Sequence, residues 1–130
     1  LEVSHYVTTY CPCSKQLSTR GGAHAQRALV RLRTVTSDVR CLSDFEEIVE
    51  AIRESGSCEI YNLLKRPDEK YVTEKGYQNA KFVEDVVRDL TTYCKNWLDK
   101  EVAYDIRVTS EESIHAHNAV AYYKKGNIHI

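Results

Sequence analysis

Residues 80–108 read AKFVEDVVRDLTTYCKNWLDKEVAYDIRV, and their hydrophobic period changes partway along. Phe82, Val83, Val86, Val87, Leu90, Cys94 and Leu98 recur at helical spacing, which predicts a helix from about Ala80 to Asp99. Val102, Tyr104, Ile106 and Val108 then fall at every second residue, the period of a strand. A long amphipathic helix leading into a half-buried strand is the signature of helices layered on a sheet.

The flanking sequence extends this pattern. Upstream, Ser43 with Glu46 three residues later forms a capping-box signature. Behind it Phe45, Ile48, Val49 and Ile52 share one helical face, ending near Gly56. Short polar helical pieces are expected around Glu59–Lys65 and Thr73–Tyr77, separated by Pro67. Near the start, Leu1, Val3, His5, Val7 and Thr9 alternate with Glu2, Ser4, Tyr6, Thr8 and Tyr10, giving a first strand. A polar connection covers Ser14–Gly22, and Ala28–Val35 alternates as a second strand with Arg31 and Arg33 on its wetter face. A fourth strand is expected over His115–Tyr123, before a Gly126-Asn127 turn. The order is strand, strand, helix, helix, strand, strand (ββααββ), an α+β fold with both helices on one face of the sheet. Its open edges and bare face predict association with other copies.

At 130 residues the chain suits one domain. Hydrophobic residues at 42% and charged residues at 28% are ordinary values. No apolar run approaches the ~20 residues of a membrane span, and nothing at the start resembles a signal peptide. A soluble, cytoplasmic protein without a membrane partner is therefore expected. The net charge of −1, with no basic block, argues against a nucleic-acid partner. Five cysteines, an odd number without repeated spacing, suggest free thiols rather than a disulfide framework. The chain has no Met and begins inside a strand, as a fragment or a processed chain would.

Four polar clusters interrupt the regular pattern, and such interruptions concentrate at functional sites. Cys11-Pro12-Cys13-Ser14-Lys15 places two thiols at the end of the first strand. These could bind metal, form a disulfide, or only fill space. Gly21-Gly22-Ala23-His24 precedes Gln26-Arg27, and its glycines allow a tight backbone before His24. Cys and His are both good zinc or iron ligands. Lys65-Arg66-Pro67-Asp68-Glu69-Lys70 is either a solvated loop or the source of a third, oxygen ligand, Glu69. Three protein ligands would leave an open position for water, as in a catalytic site. In Glu111-Glu112-Ser113-Ile114-His115-Ala116-His117-Asn118, carboxylates beside imidazoles can form an acid/base pair. His115 and His117, on one side of a strand, could instead be two ligands. Glu84-Asp85 near the start of the long helix suits the helix dipole, and a fixed carboxylate also suits the paired N–H donors of a guanine edge.

Together these motifs resemble the bacterial GTP cyclohydrolase type IB family. The matching pieces are Cys11–Lys15, Gly22–His24 with Gln26-Arg27, Lys65–Lys70 continuing to Glu74, Lys81–Asp85 with Arg88, and Glu112–His115 with His117-Asn118. The connection between Cys motif and His is one residue longer than the family's usual spacing. The resemblance implies a tunnelling fold: a four-stranded antiparallel sheet with two helices on one side, assembled into homo-oligomers with active sites near subunit interfaces. Residues 1–130 would form one such module, resembling the C-terminal, catalytic half of family members about twice this length. By resemblance Cys11, His24 and Glu69 would hold one divalent ion (Zn, Mn or Fe), with no organic cofactor. Cys13 would be a reactive thiol beside it. Glu84 would anchor the purine, Glu112 and His115 would handle protons, and Lys15, Lys65, Arg66 and Lys70 would contact the triphosphate. The implied reaction converts GTP and water to 7,8-dihydroneopterin triphosphate and formate, the first step of folate biosynthesis.

Two rivals remain at this level. One is another tunnelling-fold enzyme of purine or pterin chemistry, such as the archaeal-type cyclohydrolase or a nitrile reductase. The other is a non-catalytic metal- or nucleotide-binding fragment.

Overall fold

The computed structural model describes residues 1–41 and 44–128. Four strands, β1 (Glu2–Tyr10), β2 (Ala25–Val35), β3 (Ala103–Ser110) and β4 (Ala119–Lys125), form one antiparallel sheet in the order β1-β2-β3-β4. The helices are α1 (Pro12–Leu17), α2 (Phe45–Ser55), α3 (Arg66–Gln78) and α4 (Val83–Trp97), with a single 3-10 turn at Val39–Cys41.

Alternation decides which side of the sheet is dry. Val3 and Val7 of β1, Ala28, Val30 and Leu32 of β2, and Tyr104, Ile106 and Val108 of β3 are all buried. Against them pack Ile48 and Ile52 of α2 and Val83, Val86, Val87, Leu90 and Cys94 of α4. The predicted two-helix layer is thus α2, set against β1, and α4, set against β3 and β4. Each fully buried aliphatic side chain contributes roughly 1.5–3 kcal/mol relative to exposure.

Helix ends follow ordinary capping chemistry. The Asp44 carboxylate accepts from the Glu46 N–H at 2.9 Å and starts α2; Ser43, expected in that role, lies outside the described residues. The Asp85 carboxylate accepts from the Phe82 N–H at 2.9 Å at the start of α4. That helix begins at Val83 rather than Ala80, because Phe82 has extended backbone and serves as the N-cap.

Four local expectations are corrected. The polar connection after β1 opens with the short helix α1, capped by Cys11 with Pro12 in the first turn. Pro67 does not separate two helical pieces; it sits in the first turn of α3, where no backbone N–H is needed, and Glu59–Lys65 is not helical. β4 begins at Ala119, so His115 and His117 lie in a bend before it. Trp97, expected as helix packing, is 69% exposed and stacks on Tyr93 with ring centroids 6.4 Å apart.

Neither α2 nor α4 covers the other face of the sheet. Tyr6, Val120 and Tyr122 are exposed there. On that face Asp105 is wholly buried, covered by its partners: Arg33 Nε donates to it at 2.8 Å and Arg31 Nη2 lies at 3.4 Å. Arg31 and Arg33 do lie on the wetter face, stretched over this carboxylate.

α3 docks by a close approach. Its only buried residue is Gly76, and a Cβ built there would run into the Tyr10 ring, 2.7 Å from one ring carbon and 2.9 Å from another. Alanine in a helix interior normally stabilises by about 1 kcal/mol over glycine, whereas overpacking costs about 1–3 kcal/mol. Gly76→Ala should therefore lower stability in urea unfolding, and a more stable variant would contradict this packing. Burial also raises the Cys94 thiol and Tyr104 phenol pKa values, each to about 12 from 9.0 and 10.0. The folded state holds protons that the unfolded chain releases, so this contribution is intact below about pH 9 and lost as pH rises toward 12. A stability curve over that range should fall.

Candidate active site

One cavity of about 480 Å³ opens where the β1 end, α1, the start of α4 and the β3–β4 bend meet. The sequence-predicted residues Cys11, Cys13, His24, Glu84, Glu112 and His115 all line it, as does His117. They come from four separated segments, and the register of the sheet brings them together.

The last rung of the β1–β2 ladder is Tyr10 opposite Ala25. One step further, the Cys11 N–H donates to the His24 carbonyl at 3.0 Å. Ser14 ties the same two residues from α1: its hydroxyl donates to the Cys11 carbonyl at 3.1 Å and accepts from the His24 N–H at 3.1 Å. The Ser14 N–H lies 3.5 Å from the Cys11 sulfur. Thiol and imidazole are therefore held side by side at the mouth of α1. The longer connection between them closes locally, where the Ser18 hydroxyl accepts from Gly22 N–H at 3.0 Å and Gly21 adopts a positive φ of 75°.

Three imidazoles follow in series. The His24 and His115 rings meet edge to face at 6.4 Å, and His115 stacks on His117 at 5.3 Å. The two latter rings adjoin through the bend, not through a strand period. Glu84 enters from the first turn of α4, where the helix dipole favours its charge.

Other predicted residues lie elsewhere. Glu69 is exposed in the first turn of α3 and does not line the cavity; nor do Lys65, Arg66 and Lys70. Lys15 is committed to packing: its ammonium donates to the Tyr77 carbonyl at 2.7 Å and sits 4.4 Å from the Tyr77 ring centre, fastening α1 to α3. Among the described residues no group of three or more His, Cys, Asp or Glu converges as a metal cage. Cys11 and His24 fit a divalent ion by donor chemistry and placement, and Glu69 does not reach them in this chain.

Sequence reasoning gave no role to five further residues that line the cavity: Gln26, Lys81 and Phe82, which stand in the matching motifs, and Thr9 and Ser110, which are almost fully buried. The Ser110 hydroxyl has no hydrogen-bond partner among the described residues, an unsatisfied group that water or a ligand atom can satisfy. Strand periodicity placed Thr9 on the dry face, but nothing local marked that face as ending in a cavity.

Residues 1–121 match the model of the family described as type I GTP cyclohydrolase folE2. The chain belongs to that family. It is 48% identical over 128 residues to the GTP cyclohydrolase FolE2 of Desulfosudis oleivorans, covering 98% of this chain and 47% of the relative. The FolE2 of Dictyoglomus turgidum is 50% identical over 123 residues, 92% of this chain and 45% of the relative. That of Thermosipho melanesiensis is 49% identical over 126 residues, 93% and 44% respectively. The chain thus spans a little under half the length of these relatives. No helix among the described residues is long and apolar enough to cross a membrane.

The folded chain should expose one site thiol and hide the core ones. At about pH 8 a thiol-specific reagent should modify exposed Cys13 in the native state, but reach buried Cys58 and Cys94 only after unfolding. Modification of Cys94 at the rate of Cys13 would contradict the core packing.

Proposed function

We propose that this chain supplies the catalytic module of a metal-dependent GTP cyclohydrolase of the type IB kind, corresponding to the C-terminal half of its longer relatives. The observation that carries this reading is the convergence of Cys11, Cys13, His24, Glu84, Glu112 and His115 on one cavity. The names of the relatives support GTP as substrate; the products we assign are 7,8-dihydroneopterin triphosphate and formate, in cytoplasmic folate synthesis.

Cys11 and His24 would hold the divalent ion (zinc, manganese or iron); Glu69, the third donor that the resemblance implies, stands apart on the exposed first turn of α3. The ion would supply Lewis acidity, making water a competent nucleophile near neutral pH. The Glu84 carboxylate binds guanine by accepting from N1–H and the 2-amino group, which turns C8 toward Cys11 and His24. Water adds its oxygen to C8 and loses a proton to Glu112, His115 gives a proton to the imidazole-ring nitrogen of the purine as the C8–N bond opens, and the proton held by Glu112 restores His115. Cys13 stands at the cavity mouth as the reactive thiol. Lys65, Arg66 and Lys70 form an exposed basic stretch suited to the triphosphate, whereas Lys15 is engaged with Tyr77. The exposed Tyr6, Val120 and Tyr122 and the open edge of β4 favour a homo-oligomer with these sites near subunit boundaries.

Anaerobic incubation of the reduced chain with GTP and Mn²⁺, Fe²⁺ or Zn²⁺ should yield formate and a fluorescent pterin. Glu112→Gln should lower turnover by about 10²–10⁴-fold, the range of a lost general acid–base, while GTP binding persists. Absence of formate even when the chain is joined to the remaining half of a longer relative would overturn the proposal. Formate with a cyclic phosphate product would favour the archaeal-type reaction, and NADPH-dependent reduction of a nitrile without formate would favour the reductase.

A further inference from the structure

We propose that Gln26 is a positioning residue that fixes the tautomer of His24, so that Nδ1 carries the hydrogen and Nε2 presents its lone pair to the cavity. This rests on the reading of His24 as a ligand made above. Gln26 follows His24 by two residues at the start of β2, so both side chains project to the same side of the sheet.

The contacts form a short chain that ends in the core. Gln26 Oε1 lies 2.8 Å from His24 Nδ1. Its amide nitrogen donates to the Thr9 hydroxyl at 3.1 Å. Thr9 is 1% exposed and stands directly opposite Gln26 in the β1–β2 register. Ser113 from the bend before β4 donates its hydroxyl hydrogen to Gln26 Oε1 at 3.4 Å, and its oxygen lies equally far from His24 Nδ1.

An amide can face an imidazole either way round, and each orientation dictates the opposite tautomer. Here the nitrogen end is used by Thr9, and the oxygen end receives a second donor from Ser113. An oxygen accepts two hydrogens readily; an amide nitrogen accepts none. In this orientation Oε1 faces the ring, so Nδ1 donates and Nε2 is left as the unprotonated nitrogen. Metal-binding imidazoles are held in this way by a partner on the other ring nitrogen. A neutral amide does this without adding charge to a cavity that already contains Glu84 and Glu112.

The primary test needs no metal. Long-range ¹H–¹⁵N spectra of the full, metal-free chain, taken at about pH 8 where an ordinary imidazole is neutral, should show His24 as the Nδ1–H tautomer. Gln26→Leu should shift it toward Nε2–H, and Gln26→Glu, which keeps an acceptor in place, should retain Nδ1–H. An Nε2–H tautomer in the wild-type chain, or a Leu variant that matches wild type, would overturn the assignment. In parallel, Co²⁺ alone is titrated while the thiolate charge-transfer absorption is read. Affinity should fall by about 10- to 100-fold in Gln26→Leu, the usual cost of losing such a partner, and recover in Gln26→Glu. If the wild-type chain binds no Co²⁺, the Cys11–His24 metal reading fails, while the spectra still decide the role of Gln26. If the Leu variant does not fold, wild type and Gln26→Glu alone still test the tautomer.

Discussion

The pairing of β1 with β2 is the constraint on which the rest of this molecule depends. Nine rungs, from Glu2 opposite Arg33 to Tyr10 opposite Ala25, set a single register, and its continuation joins Cys11 to His24. A slip of β1 by one residue would turn Val3 and Val7 out of the core and put Thr9 on the face opposite Gln26. The hydrophobic energy that fixes the sheet therefore also fixes the thiol–imidazole pair.

Tyr10 conveys that rigidity to the helices. Its N–H donates to the Ser57 hydroxyl at 3.1 Å and its carbonyl accepts from Lys81 N–H at 3.0 Å. Its ring receives Gly76 of α3. Nearby, the Asn79 amide donates to the Gly56 and Ser57 carbonyls, both at 3.2 Å, and the Lys81 ammonium reaches the Ser55 carbonyl and Asp89. These bonds hold the start of α4, and with it Glu84, against the end of β1. The wall that binds thiol and imidazole and the wall that bears the carboxylate are thus parts of one frame. By contrast, the first turn of α3 lies beyond this frame, and Glu69 lies there exposed.

The two faces of the sheet differ in what they demand. The helix-covered face is satisfied within the chain by one continuous core. The bare face has exposed aromatic residues and a buried Asp105 whose charge is met by Arg31 and Arg33. Removing either arginine would leave a desolvated carboxylate short of partners, so the ion cluster constrains this face even without a covering layer.

The sequence by itself determined the four strands, the two packed helices and the residues of most chemical interest, because those rest on local periodicity and on side-chain type. Val83 through Leu98 could only bury one face as a helix, and Tyr104, Ile106 and Val108 could only do so as a strand. Resemblance to a family supplied roles for Cys11, Cys13, His24, Glu84, Glu112 and His115, and all six line one cavity. Tertiary structure alone decided that Lys15 fastens α1 to Tyr77, that Glu69 stands apart, and that His115 and His117 meet through a bend. It also revealed Gln26, Thr9 and Ser110 behind the reactive groups. Those facts depend on contacts between residues far apart in sequence, such as Thr9 with Gln26 and Lys15 with Tyr77, and no local pattern encodes where two distant segments will touch.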